Sequence, residues 1–340
     1  MIAILSGLIN LLFLLTKLSV SQGESVVPGF SGNSLLHIIL YVALGIVLVW
    51  LLIRAQTKSL IRTRRILNEM EIALSRIENQ RADLENKNNS IMDSLIYAQR
   101  IQEALLPSEE YFRRHFKESF ILYKPKDIIS GDFYWIGEKE NKIFIVAADC
   151  TGHGVPGALM SMIGHNMLDK IINVDNVHHP SKVLDIMSRG LEKTFSREKN
   201  AGSIIRDGMD IGLCVVDKPN RRVEFAGAFF PLYIVRDNRL LDIKGDKYPL
   251  GTTPPDTLYT NNEIDLFEND MMYLFSDGYV DQFGGVENKK FMYRRFRYLL
   301  MNIHQFPVED QKLILEENMR TWMGNLPQVD DMLVMGFRPL

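Results

Sequence analysis

Aspartates stand at the ends of apolar runs in four separated places along the 340-residue chain. Asp132 opens a β-type run within Ser130-Gly131-Asp132. Asp149 follows one in Ala147-Ala148-Asp149-Cys150, Asp277 follows another in Leu274-Phe275-Ser276-Asp277-Gly278, and Asp330 and Asp331 precede the last. A carboxylate beside buried apolar strand is costly unless something compensates its charge. No lysine or arginine lies close to these acids in sequence, so a salt-bridge network fits them poorly. Several carboxylates converging from the ends of one sheet system are what hard divalent cations require, and all-oxygen donors favour Mg²⁺ or Mn²⁺. Taken singly, each aspartate reads as a turn or cap residue; the case rests on the set.

The loop after Asp149 runs Thr151-Gly152-His153-Gly154-Val155-Pro156-Gly157 and matches G-x-G-x-x-G literally. Dinucleotide binding does not follow, because Asp149 would face a pyrophosphate and no clean second strand ends in an acid about 20 residues on. A Walker A loop is excluded, since no Gly-Lys-Ser/Thr follows. The glycines instead let backbone turn tightly around a small site, with a helix N-terminus aimed at an anion. Cys150 as a thiolate nucleophile lacks the arginine that would cradle a phosphate.

Elements able to hold these residues follow from pattern. Alternating runs predict strands at Ser119–Tyr123, Asp132–Ile136, Lys142–Ala148, Met209–Val216, Arg222–Ala226, Leu232–Arg236, Leu240–Ile243, Met271–Phe275 and Met332–Phe337. Turn signals at Glu138–Asn141 and Asp237-Asn238 join neighbours as hairpins. Helical periodicity covers Pro156–Ile172, Ser181–Phe195, Lys289–Met301 and Val308–Met323. Hairpins with helices grouped between them predict an α+β fold with antiparallel sheets covered by helices.

The segments SGDFYW, AADCTGHGVPGALMS, LFSDGYVD and DDMLV, in this order, resemble the SpoIIE/RsbU-type serine phosphatases, bacterial members of the metal-dependent type 2C protein phosphatases. The likeness runs from YAQRIQEALLP to about Phe337. It implies a four-layer α-β-β-α sandwich holding two Mn²⁺ or Mg²⁺ ions that activate water for in-line attack on a phosphoryl group. Carried over by position, it makes Asp149 the bridging ligand, with the main-chain carbonyl of Cys150 beside it. Asp132 becomes a metal-site acid that serves the attacking water with Asp149, and Asp277 and Asp330 become ligands of the second ion. Asp281 corresponds to a ligand of an optional third metal. Gly131, Gly152, His153, Gly154 and Gly278 shape the surrounding loops, His153 as a loop-ordering group. Thr151 stands where eukaryotic relatives carry histidine, and Leu333 where relatives often carry threonine.

Nineteen residues without formal charge, Leu35 to Ile53, span roughly 28 Å as a helix and are followed at once by Arg54, Lys58, Arg62, Arg64 and Arg65. The basic side is expected to face the cytoplasm. The earlier apolar stretch, residues 2–16, reads either as a first spanning helix or as a signal peptide cleaved near Ser19-Val20-Ser21. Between Ala55 and Leu106 there is no Pro or Gly, and Leu67, Met70, Leu74, Ile77, Leu84, Ile91, Leu95, Ala98 and Leu105 follow a coiled-coil seam interrupted by Arg81 and Asn88. The expected organisation is a membrane anchor over 1–54, a dimerising coil over 55–106 and a phosphatase domain over 107–340.

Net charge of -3 gives no basic field for nucleic acid, and two cysteines exclude a disulfide framework. The resemblance implies a phosphoserine or phosphothreonine substrate on a regulatory protein, an anti-sigma-factor antagonist, with the chain at the inner membrane. The alternative is a catalytically silent membrane-bound scaffold that binds a signalling partner; presence of the whole acid set discriminates against it.

Overall fold

A computed structural model describes residues 6, 7, 10, 13, 14, 17, 32–152, 154–196, 208–252, 254 and 257–340. Most of the first apolar stretch, and His153, therefore lie outside the described residues. The chain divides into two compact units, Met1–Asn88 and Asn89–Leu340.

In the first unit the described secondary structure is helical and belongs to α1 (Gly32–Leu105) from Gly32 onward. Its apolar stretch reaches a mean hydropathy of 2.7 over 18 residues, with none of that window buried. One helix among the described residues is thus long and apolar enough to cross a membrane. The seam residues Leu67, Met70, Leu74, Ile77 and Leu84 are exposed in the single chain.

The second unit holds two five-stranded antiparallel sheets, ordered β1-β12-β9-β6-β7 and β2-β3-β4-β5-β8. The strands are β1 (Ser119–Lys124), β2 (Phe133–Lys139), β3 (Lys142–Cys150), β4 (Met209–Asp217), β5 (Arg222–Ala228), β6 (Leu232–Arg236), β7 (Arg239–Ile243), β8 (Asn262–Asp265), β9 (Met271–Phe275) and β12 (Met332–Phe337); β10 (Phe283–Gly284) and β11 (Lys289–Lys290) form a separate small hairpin. After α2 (Glu109–His115) the helices are α3 (Val155–Asp169), α4 (Pro180–Ser196), the single turn α5 (Gly278–Asp281), α6 (Met292–Ile303) and α7 (Val308–Met323).

Period-two alternation explains the layering. On β3, Phe144, Val146 and Ala148 pack with Met160 and Leu168 of α3 and with Val183, Leu184, Met187 and Leu191 of α4. The intervening Ile143, Ile145 and Ala147 face the other way, into a core shared with Ile234, Met272, Leu274, Leu333 and Met335 of the second sheet. That sheet's outer side buries Tyr233, Tyr273 and Phe275 against Phe296 and Leu300 of α6 and Leu315 and Met319 of α7. The result is the expected α-β-β-α sandwich.

Both expected hairpins close on two-residue turns with positive φ, at Glu140 and Asn141 (50° and 64°) and at Asp237 and Asn238 (47° and 57°), the backbone that matches strand twist. Differences from the sequence reading are local. β8 was not expected, because Asn262, Glu263, Ile264 and Asp265 carry no apolar alternation; it pairs as a charged edge strand. Helix α6 begins at Met292, since Lys289 and Lys290 are taken up by β11.

Candidate active site

Antiparallel register places Asp149 of β3 directly opposite Asp210 of β4, with Cys150 opposite Met209. Two like charges facing across strands oppose folding unless neutralised. Asp149, Asp210, Asp330 and Asp331 line a cleft of about 220 Å³ together with Cys150, Thr151 and Gly152. Thr151 fastens one rim: its N–H and hydroxyl both donate to the Gly208 carbonyl at 3.0 Å, and its hydroxyl accepts from the Gly208 N–H.

The acids are held in a common field. Burial, then Asp277, Asp330 and Asp210, pushes the Asp149 carboxyl up to about 8. Burial and Asp277 push Asp210 up to about 7. Asp277 rises to about 6 through burial and its neighbours Asp281 and Asp330, against the opposing charge of Lys290. Asp132 is 1% exposed and lies against Asp149. Its carboxyl is driven well above the usual range by burial and by Asp149, while a hydrogen bond from Ser276 opposes the shift. That Ser276 hydroxyl donates to Asp132 Oδ2 at 2.6 Å and itself accepts from the Leu333 N–H at 3.0 Å. The Cys150 thiol is fully buried and is pushed well above its ordinary value by burial and the surrounding acids, so it supplies no thiolate nucleophile.

Loop contacts distinguish the paired acids at the C-terminal end. Both oxygens of Asp331 accept backbone N–H groups, from Lys126 and Gly131, each at 2.7 Å. Asp331 thus ties the Ser130–Asp132 loop in place, while Asp330, which lines the same cleft, accepts the Asp331 N–H through Oδ1 at 2.9 Å. Gly278 lets the two chain segments meet, because a Cβ there would come within 1.8 Å of the Asp331 carbonyl oxygen. Gly157 does the same for the glycine loop, where a Cβ would stand 2.1 Å from the Gly152 carbonyl oxygen.

One further tie comes from the end of α1. Gln102, 5% exposed, donates through Nε2 to the Ser130 carbonyl (2.7 Å) and to Ser161 Oγ on α3 (2.9 Å), and accepts from the Ser130 N–H (3.1 Å). Ser130 Oγ in turn accepts from the Asp132 N–H. Next to it, Leu106 packs against both neighbouring cores.

Among the described residues no three His, Cys, Asp or Glu side chains close on one point as a ready-made cage. The carboxylates instead line a cleft in which burial and mutual repulsion crowd the acids together, which fits divalent ions that keep part of their water shell. Sequence reasoning missed Asp210, Ser276, Gln102 and the separate duty of Asp331. An acid second in an otherwise apolar strand was the available signal for Asp210.

Comparison with known proteins decides the family. The profile described as Stage II sporulation protein E (SpoIIE) matches residues 139–339, more than half of the chain. The chain belongs to the SpoIIE family. The solved SiaA-PP2C domain of Pseudomonas aeruginosa is 33% identical, covers 74% of this chain and 98% of its own, and superposes with a TM-score of 0.68. The PP2C phosphatase domain of SpoIIE from Bacillus subtilis shares the fold at 19% identity, with a TM-score of 0.52 over 65% of this chain and 62% of that one. Phosphoserine phosphatase RsbU of Bacillus subtilis (strain 168) is 31% identical over 161 residues, 46% of this chain and 44% of that protein. The chain spans less than half the length of the curated relatives it matches. Asp149, Asp210, Asp277 and Asp330 fall inside the SpoIIE-matched range and Asp132 just before it. The second unit therefore carries a SpoIIE-type PP2C phosphatase domain.

Proposed function

We propose that this chain is a membrane-anchored, metal-dependent protein serine/threonine phosphatase acting on a phosphorylated regulatory protein, an anti-sigma-factor antagonist. The observation that carries this reading is the meeting of Asp149, Asp210 and Asp330 in one cleft, with Asp277 in the same field. Two Mn²⁺ or Mg²⁺ ions would be held by Asp149, the Cys150 carbonyl, Asp277 and Asp330. When bound, such ions make water a competent nucleophile near neutral pH and offset phosphoryl charge.

The chain's own groups do the remaining work. Asp132, braced by Ser276, lies against Asp149 and orients it. Asp331 and Gln102 fix the loop that carries Asp132. The excess of carboxylate repels a free anion, so the phosphorylated side chain is attracted only once the ions are in place.

The organisation we infer is an anchor over residues 1–54, a coil over 55–106 that pairs with a second copy, and the phosphatase domain over 107–340 facing the cytoplasm. The apolar helix and the following basic cluster support the anchor. The exposed seam supports pairing. The test is hydrolysis of a phosphoserine peptide by the full chain in detergent, with and without Mn²⁺, beside Asp149→Asn. Mn²⁺-dependent turnover lost in the variant is expected; a folded, Mn²⁺-loaded chain without turnover would favour the silent scaffold.

A further inference from the structure

Asp281, the acid aligned with an optional third-metal ligand, is already engaged. It ends the single turn α5, its N–H donating to the Asp277 carbonyl at 2.8 Å, so the two acids stand one helical turn apart. Like charges so placed repel. Lys290 meets that repulsion, its Nζ forming an ion pair with Asp281 Oδ2.

The lysine is delivered by a fixed backbone. Lys290 pairs with Phe283 across the β10–β11 hairpin. The next residue, Phe291, is buried, and its N–H donates to the Gln282 carbonyl at 2.9 Å. The Phe291 ring packs edge-on against Tyr279 (5.4 Å between centroids) and Trp322 (5.3 Å). Trp322 in turn donates from Nε1 to the Gln282 carbonyl at 3.1 Å, closing the base of the hairpin. A third ion at Asp281 would have to displace an ammonium tethered beside it and then sit against that same charge. The residues present do not fit a third divalent site.

We propose that Lys290 is the resident cation at the Asp277–Asp281 edge, so that this domain takes two divalent ions and no third. The proposal rests on the two-metal reading above. A half-exposed ion pair contributes only about 0–1 kcal/mol to stability. The function of Lys290 is therefore placement of a permanent positive charge rather than support of the fold.

The test is calorimetric titration of the metal-stripped full chain in detergent with Mn²⁺ alone, with circular dichroism confirming that each variant is folded. Wild type is expected to bind two ions. Lys290→Ala is expected to bind a third, weaker ion, lost again in Lys290→Ala/Asp281→Asn, while Lys290→Arg stays at two. A third wild-type ion that Asp281→Asn removes would overturn the proposal, as would two ions in Lys290→Ala. Wild type binding no Mn²⁺ would defeat the two-metal reading itself.

Discussion

At the scale of single residues, the facing pair Asp149 and Asp210 has a consequence for stability in the absence of metal. Their carboxyls, and that of Asp277, titrate near 8, 7 and 6 in the fold, against about 4 in an unfolded chain. A group whose folded value is raised stabilises the fold fully below its unfolded value and loses that contribution as pH rises through the folded one. In chelator the melting temperature is therefore expected to fall between about pH 4 and pH 8 as these groups ionise against each other. Asp210→Asn should flatten the fall and raise the melting temperature at pH 8, by about 2–4 °C for each kcal/mol relieved in a domain of this size. Thermal unfolding in chelator across that range checks it; a profile unchanged by Asp210→Asn would contradict it. Asp149 and Asp277 were legible in the sequence because each ends an apolar run just before a motif glycine, and Asp330 because it opens the DDMLV segment ahead of the last strand. Asp210 was not, because its meaning depends on which residue lies across the ladder, and register is a long-range property.

At the scale of elements, the end of α1 is joined to the site by the three hydrogen bonds of Gln102. A buried amide that satisfies both backbone groups of Ser130 cannot be lost without leaving them unpaired, which costs about 1–3 kcal/mol for each such group. Gln102→Leu is expected to loosen the Ser130–Asp132 loop and raise the Mn²⁺ concentration for half-maximal activity about tenfold, with KM for a phosphopeptide little changed. A Mn²⁺ titration at saturating peptide reads this directly; an unchanged midpoint would show that the tie does not reach the site. Most strands were legible from alternation and turn chemistry. The charged edge strand β8 and the two-residue strands β10 and β11 were not, because neither burial pattern nor propensity marks them.

At the scale of the whole molecule, two apolar surfaces are exposed among the described residues, the membrane-length stretch of α1 and its coil seam. Under the organisation proposed above, lipid would cover the first and a second helix the second. Residues 89–340 form a compact unit by themselves and are expected to stay folded when produced alone. If paired coils set the productive state of the site, that fragment and a full chain carrying a one-residue insertion near Asn88 should both differ from wild type in specific activity. Equal activity in all three would sink the signalling role of the coil. Composition and periodicity sufficed for the long helix and its membrane-length apolar stretch because both are repetitive. The physiological substrate leaves no such periodic trace.

The burial of Cys150 carries one more consequence. Phosphatases that attack through a thiolate are silenced by peroxide and alkylating agents, because the nucleophile must be exposed and ionised. Here the sulfur beside Asp149 is 2% exposed and held as the neutral thiol, and Cys214 is wholly buried. The folded protein should resist iodoacetamide at both cysteines and keep its activity after mild peroxide treatment, as mass spectrometry and a turnover assay would show. If the chain has the phosphatase activity proposed above, oxidative stress that silences thiol-dependent phosphatases would leave it working.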